Sequence, residues 1–182
     1  MCIIPTMLKK SADVDEMMSK MEEYYIANKS ENLFFTLLGD CTKSDMQETR
    51  EDKEIANEGI YLVNELNKKY GNKFFFVYRK REWNASEKCF MGWERKRGLI
   101  NQFNDFLLGK EVNFKVNTCE GFVDKSVKNT SQEFIDAKLE NTRENFVKEN
   151  TRNDCENFNV DKTKRQRFLD VKYVITLDSD TT

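Results

Sequence analysis

Leu33-Phe34-Phe35-Thr36-Leu37-Leu38, running into Gly39-Asp40, is apolar at every position from 33 to 38 except Thr36. A half-buried strand would alternate apolar and polar residues; a continuous apolar run of this length reads as a strand covered on both faces of a parallel sheet. Three further runs share the character: Cys2-Ile3-Ile4, Phe74 to Tyr78, and Tyr173 to Leu177. Between the first three lie helical patterns. After Ser11, taken as the N-cap, Val14, Met17, Met18, Met21 and Tyr25 recur at spacings of three and four. A second helix is expected over about 51–70, carrying Ile55, Leu62, Val63 and Leu66 and stopping at Gly71. Strand, helix, strand, helix, strand is the signature of an α/β doubly wound sheet.

Beyond the third run the pattern changes. Residues 79–97 hold seven basic residues (Arg79, Lys80, Arg81, Lys88, Arg95, Lys96, Arg97) against Glu82, Glu87 and Glu94, interleaved with Trp83, Phe90 and Trp93. A third helix is expected from about Gly98, with Leu99, Ile100, Phe103, Phe106 and Leu107 on one side and Gly109 as its stop. Residues 110–170 are polar and Asn-rich, and read as an insertion of short strands, loops and one helix near 131–148. No internal repeat is evident.

The bulk properties bound what this chain can do. At 182 residues it suits one domain rather than two, and 38% hydrophobic residues with 14 Phe supply material for a core. A net charge of -2 gives no general attraction to nucleic acid or anionic membranes. The five cysteines are far apart with no CxxC, and histidine is absent, which excludes Cys/His zinc sites and His-dependent triads. Their odd number and the lack of a signal peptide suggest reduced thiols in a cytosolic compartment. No apolar run approaches the roughly 20 residues that span a bilayer, so a soluble segment is expected.

The strongest chemical feature follows the last run, where Tyr173-Val174-Ile175-Thr176-Leu177 leads into Asp178-Ser179-Asp180. Ligands of open α/β sheets bind beyond the carboxyl ends of the strands, which is where these carboxylates would fall. Two such acids suit Mg²⁺ or Mn²⁺ shared with a diphosphate; alternatively they form a solvated acidic turn. The first strand ends at Pro5-Thr6 and the second at Gly39-Asp40. Asp40 could accept from a base N–H and Thr6, or its backbone, could touch a nucleotide, although both residue types are also ordinary turn formers. There is no GxGxxG and no GxxxxGK[ST]. The basic-aromatic segment admits three readings: a diphosphate clamp with Trp83 or Trp93 stacked on a sugar, a single-strand nucleic-acid groove, or a solvated face with packed tryptophans. Net charge and the lack of an RRM-like signature disfavour nucleic acid.

Taken together these stretches resemble the glucosyltransferase domain of cyclic β-1,2-glucan synthases, glycosyltransferase family 84, and related family 2-like enzymes. The resemblance rests on Ile3-Ile4-Pro5-Thr6, Tyr25-Ile26-Ala27-Asn28, Asn32 to Asp40, Phe75 to Asn84, Met91-Gly92-Trp93-Glu94-Arg95-Lys96-Arg97-Gly98, Phe103-Asn104 and Tyr173 to Thr181. It implies a GT-A-like, Rossmann-like nucleotide-sugar-binding sheet that uses UDP-glucose and a divalent metal, Mg²⁺ or Mn²⁺, to extend a β-1,2-glucan acceptor. The setting it implies is the cytoplasmic side of the cell membrane, within a larger protein. By position, Asp178 and Asp180 look like the metal-binding pair and Thr6 and Asp40 like nucleotide contacts; Arg95, Lys96 and Arg97 are inferred to bind the donor. Relatives continue into an acceptor half, so residues 1–182 are expected to be a single incomplete domain, inactive alone, whose partner is the remaining part of that domain. An inverting transfer needs a base near the acceptor hydroxyl, and none is assigned here. The open edge of such a sheet predicts aggregation or tight pairing. The alternative is a non-catalytic α/β module that grips an anionic ligand or partner through 79–97.

Overall fold

The computed structural model describes residues 1–119, 171 and 173–177. Its elements are β1 (Cys2–Leu8), α1 (Ser11–Ala27), β2 (Phe35–Cys41), α2 (Arg50–Tyr70), β3 (Phe74–Arg79), β4 (Glu82–Asn84), β5 (Cys89–Met91), α3 (Arg95–Leu107), β6 (Phe114–Asn117) and β7 (Ile175–Thr176). The main sheet has the order β6-β3-β2-β1-β7, with β6 antiparallel to β3 and the other pairs parallel. β4 and β5 form a separate hairpin. The α/β class expected from the sequence is the class observed.

The continuous apolar runs have a direct cause, because the sheet is covered on both sides. Phe35 and Leu37 of β2 and Phe74, Phe76 and Tyr78 of β3 pack with Val14, Met17, Met18 and Met21 of α1 and Ile55, Val63 and Leu66 of α2. The alternate residues Phe34, Leu38, Phe75 and Val77 pack on the other face against Leu99, Phe103 and Phe106 of α3. Each such aromatic or aliphatic side chain contributes about 1.5–3 kcal/mol when fully buried, so β2 and β3 form the strongest part of the sheet.

α2 begins at a capping box in which Thr49 accepts from the Asp52 N–H at 3.3 Å and the Asp52 carboxylate accepts from the Thr49 N–H at 2.7 Å. It stops at Gly71, and the segment after α3 turns at Gly109; both take positive φ, 76° and 78°. Three expectations shift. α1 is capped one residue early, at Lys10 rather than Ser11, because the Asp13 carboxylate takes the N–H groups of Lys9 (2.7 Å) and Lys10 (3.2 Å). α3 begins at Arg95, ahead of Gly98. The run 173–177, expected to be buried on both faces, pairs among the described residues through Ile175 and Thr176 with β1 at the end of the strand order, and its Tyr173, Val174 and Ile175 are exposed. β6 is one of the short strands expected in 110–170; the helix expected near 131–148 lies outside the described residues. Among the described residues no helix is long and apolar enough to cross a membrane.

Candidate functional site

The strand order places the reversal of the sheet between β1, which leads toward β2 and β3, and β7, which lies on its other side. In open α/β sheets this switch point is where the connecting helices diverge and leave a crevice beyond the carboxyl ends. β7 is held there by the N–H of Ile175 on the Met1 carbonyl and that of Leu177 on the Ile3 carbonyl, both at 2.9 Å. Asp178 follows Leu177 directly in sequence. Asp178 and Asp180 themselves lie outside the described residues, and among the described residues no group of three or more His, Cys, Asp or Glu could hold a metal.

Along the same edge, β1 and β2 set Thr6 opposite Gly39 and Met7 opposite Asp40. The pleat sends the two expected nucleotide contacts to opposite faces. Thr6 turns its hydroxyl toward Met17 Sδ of α1, at 3.7 Å. Asp40 lies on the α3 face, where it meets Arg79 from the end of β3 at 3.5 Å. A contact with Thr6 from a ligand on the α3 side would therefore use its backbone. Asp40 Oδ1 also accepts the N–H of Cys41 at 2.9 Å, while Oδ2 takes no hydrogen bond among the described residues. Burial pushes the Asp40 carboxyl above its ordinary pKa, and the nearby guanidinium and the Cys41 N–H only partly oppose this. The adjoining Cys41 thiol is pushed up to about 11, by burial first and then by the Asp40 charge.

Arg79 is spent on the loop before α3. Its Nη1 donates to the Arg95 carbonyl at 3.0 Å and its Nη2 to the Trp93 carbonyl at 2.5 Å. Gly92 and Gly98 frame this contact. A Cβ on Gly92 would come within 2.5 Å of Asp40 Oδ1 and 2.7 Å of Arg79 Nη1, and a Cβ on Gly98 would collide with the Trp93 carbonyl oxygen. The Met91-to-Gly98 stretch thus wraps a buried guanidinium, and its glycines are there because backbone must approach that group closely.

The seven basic residues of 79–97 consequently divide. Arg79 and Arg81 are 2% and 4% exposed. Arg81 is paired with Asp52 and donates from Nε to the Thr42 carbonyl at 2.6 Å; Asp52 Oδ1 also accepts from the Tyr78 hydroxyl at 2.7 Å. Burial alone would raise the Asp52 pKa, but the hydrogen bonds from Arg81, Thr49 and Tyr78 outweigh it and hold the carboxyl low. Arg95, Lys96 and Arg97 are exposed at the start of α3, with Arg97 forked onto Glu94 at 2.8 and 2.6 Å. Of the three readings of this segment, the one with packed tryptophans does not fit: Trp83 and Trp93 are 56% and 57% exposed, with Trp83 held edge-on by Phe90 at 5.2 Å. A cavity of about 350 Å³ opens at the β3 end of this edge, lined in part by Asp52, Arg79, Lys80, Arg81 and Lys115.

The structure therefore brings Asp40 together with the loop that carries Arg95, Lys96 and Arg97, and turns the Thr6 side chain away from it. The sequence left Arg79 and Arg81 within a basic segment open to three readings and gave no prominence to Asp52. The available signals were the T-x-x-D capping pattern at Thr49 and the position of Arg79 directly continuing a run buried on both faces.

A doubly wound α/β sheet with a polar, partly basic carboxyl edge has the architecture in which ligands bind beyond the carboxyl ends of the strands, an architecture that by itself names no ligand. Comparison with known proteins adds a particular relationship. Over 111 residues, 59% of this chain, the sequence is 32% identical to cyclic beta-(1,2)-glucan synthase NdvB of Rhizobium meliloti (strain 1021). The chain spans only 4% of the length of that protein. No family model matches. The chain is thus similar to a short stretch of a much longer glucan synthase.

Proposed function

We propose that this chain forms the donor-binding part of a metal-dependent glycosyltransferase that moves glucose from UDP-glucose to a growing β-1,2-glucan on the cytoplasmic side of a membrane. The observation that carries the reading is the reversal of strand order between β1 and β7, with β7 leading in sequence straight into Asp178-Ser179-Asp180. Two carboxylates one residue apart are hard oxygen donors of the kind that Mg²⁺ or Mn²⁺ shares with a substrate diphosphate. A metal held by Asp178 and Asp180 would neutralise charge developing on the departing nucleoside diphosphate. Asp40, buried yet with Oδ2 unspent among the described residues, is suited to accept from a nucleobase N–H. Arg95, Lys96 and Arg97, exposed at the first turn of α3, would add positive charge to a helix N-terminus that itself favours anions. The similarity to a glucan synthase supports the sugar class on both sides of the reaction.

Calorimetric titration of the purified chain with UDP-glucose tests this. Saturable binding is expected with Mn²⁺ present, lost with EDTA and lost in Asp178→Ala and Asp180→Ala. Binding that survives both substitutions removes the metal assignment; no binding to any nucleoside diphosphate sugar, with or without metal, removes the donor reading.

A further inference from the structure

We infer that Arg79 is a positioning residue for this edge of the sheet: a buried guanidinium that fixes the turn presenting Arg95, Lys96 and Arg97 and holds it against Asp40. Its bearing on ligand rests on the donor-site reading above, whereas its hold on the turn does not. Three independent observations meet at this residue. Arg79 is buried, and its two terminal nitrogens reach the carbonyls of Trp93 and Arg95 at 2.5 and 3.0 Å while Nη1 lies 3.5 Å from Asp40. Glu94 and Arg95, the residues spanned by that grip, are consecutive non-glycine residues in the left-handed region, with φ of 51° and 47°. Such backbone costs free energy and persists only where surrounding contacts over-determine it, commonly at ligand clamps. Gly92 and Gly98 bracket the turn so closely that added Cβ atoms would strike the guanidinium or the turn's own carbonyl.

The chemistry requires arginine in particular. Two carbonyls separated by one residue are met by two nitrogens of one planar fork, a geometry that the single ammonium of lysine cannot reproduce with the same reach. Because the same group touches Asp40 on one side and the Arg95 backbone on the other, it links two positions proposed to contact the donor, which come from β2 and from the start of α3. Without it the left-handed pair relaxes, and the exposed cations lose a fixed position relative to Asp40.

The full chain carrying Arg79→Lys, which keeps the charge beside Asp40, tests the inference, with Gly92→Ala as a second variant that pries at the same contact from outside. Hydrogen exchange of the amides from Trp93 to Leu99 is expected to accelerate about tenfold or more in both, out of proportion to other helices. UDP-glucose with Mn²⁺ is expected to bind about tenfold more weakly, measured well below the melting midpoint so that every molecule is folded. A merely structural role would lower the midpoint and leave that affinity unmoved. Unchanged local exchange in both variants overturns the grip. Accelerated exchange with undiminished affinity overturns the positioning role. Should the wild-type chain bind no donor, the exchange result still decides the grip, and the failure belongs to the donor reading.

Discussion

Two aspartate–arginine pairs are buried at the carboxyl edge of this sheet, and they do opposite work. Asp52 and Arg81 form a closed network in which both carboxylate oxygens are occupied: Oδ1 by the Tyr78 hydroxyl, Oδ2 by Arg81 and Thr49. Asp40 and Arg79 stand 3.5 Å apart, with Arg79 turned to the Trp93 and Arg95 carbonyls and Asp40 taking on Oδ1 the Cys41 N–H at 2.9 Å and, weakly, the Cys41 thiol at 3.9 Å. Burial raises the pKa of both carboxyls, yet only Asp52 gathers enough donors to be held low. Depth alone does not decide what a buried charge is for; the saturation of its hydrogen bonds does. The saturated pair secures α2 to β3. The unsaturated pair is where a ligand would still find an acceptor.

The largest effect expected from this contrast is on stability. Asp52→Ala strands a buried guanidinium and a buried tyrosine hydroxyl, and should cost about 3–5 kcal/mol in urea denaturation. Asp40→Ala should cost only about 1–2 kcal/mol, because Arg79 keeps both carbonyls and the lost ion pair is long. Equal costs would break the distinction. The pH dependence sharpens it, since the two carboxyls are shifted in opposite directions. Asp52, held low when folded, stabilises above the ordinary aspartate value of about 3.9, and that contribution disappears as pH falls through its folded pKa. Asp40, held high, binds its proton more tightly when folded; its contribution is present below about 3.9 and is lost as pH rises through the folded value. The destabilisation caused by Asp52→Asn should therefore grow as pH rises across the acid range, while that of Asp40→Asn shrinks. Parallel curves for the two variants would contradict the assignment.

The same contrast explains which parts of the molecule were legible in the sequence. β2 and β3 announced themselves because both faces are covered, by α1 and α2 on one side and α3 on the other, so every residue from Phe74 to Val77 had to be apolar. Hydrophobicity has no direction, and a run of it reveals a strand without revealing its neighbours. Residues 173–177 have the same composition but lie, among the described residues, at the end of the strand order, with Tyr173, Val174 and Ile175 exposed. Charge was less legible still. Arg79, Arg81 and Arg97 look alike in a local count, but two are buried and paired with aspartates 39 and 29 residues earlier in the chain, at Asp40 and Asp52, while the third is an exposed partner of Glu94. Partners at that separation leave no periodic trace. Asp52 could have been noticed only through its local role in capping α2 with Thr49.

The smallest expected change in stability lies at the exposed end of this comparison and bears on function. Arg97 is surrounded by solvent and forks onto Glu94 within the first turn of α3. Exposed pairs of this kind are screened by water and salt. Arg97→Ala should leave the melting midpoint where it is. If the start of α3 faces the donor diphosphate, removing one of three adjacent cations should weaken Mn²⁺–UDP-glucose binding by a few-fold, and the loss should fade as salt is raised toward about 1 M, where charges are screened beyond roughly 3 Å. Arg79→Lys should instead weaken binding equally at low and high salt, because its effect passes through the shape of the turn. A salt-independent loss in Arg97→Ala would mean that this side chain does not meet the donor as a charge, and the contrast between buried positioning arginine and exposed binding arginine would have to be redrawn.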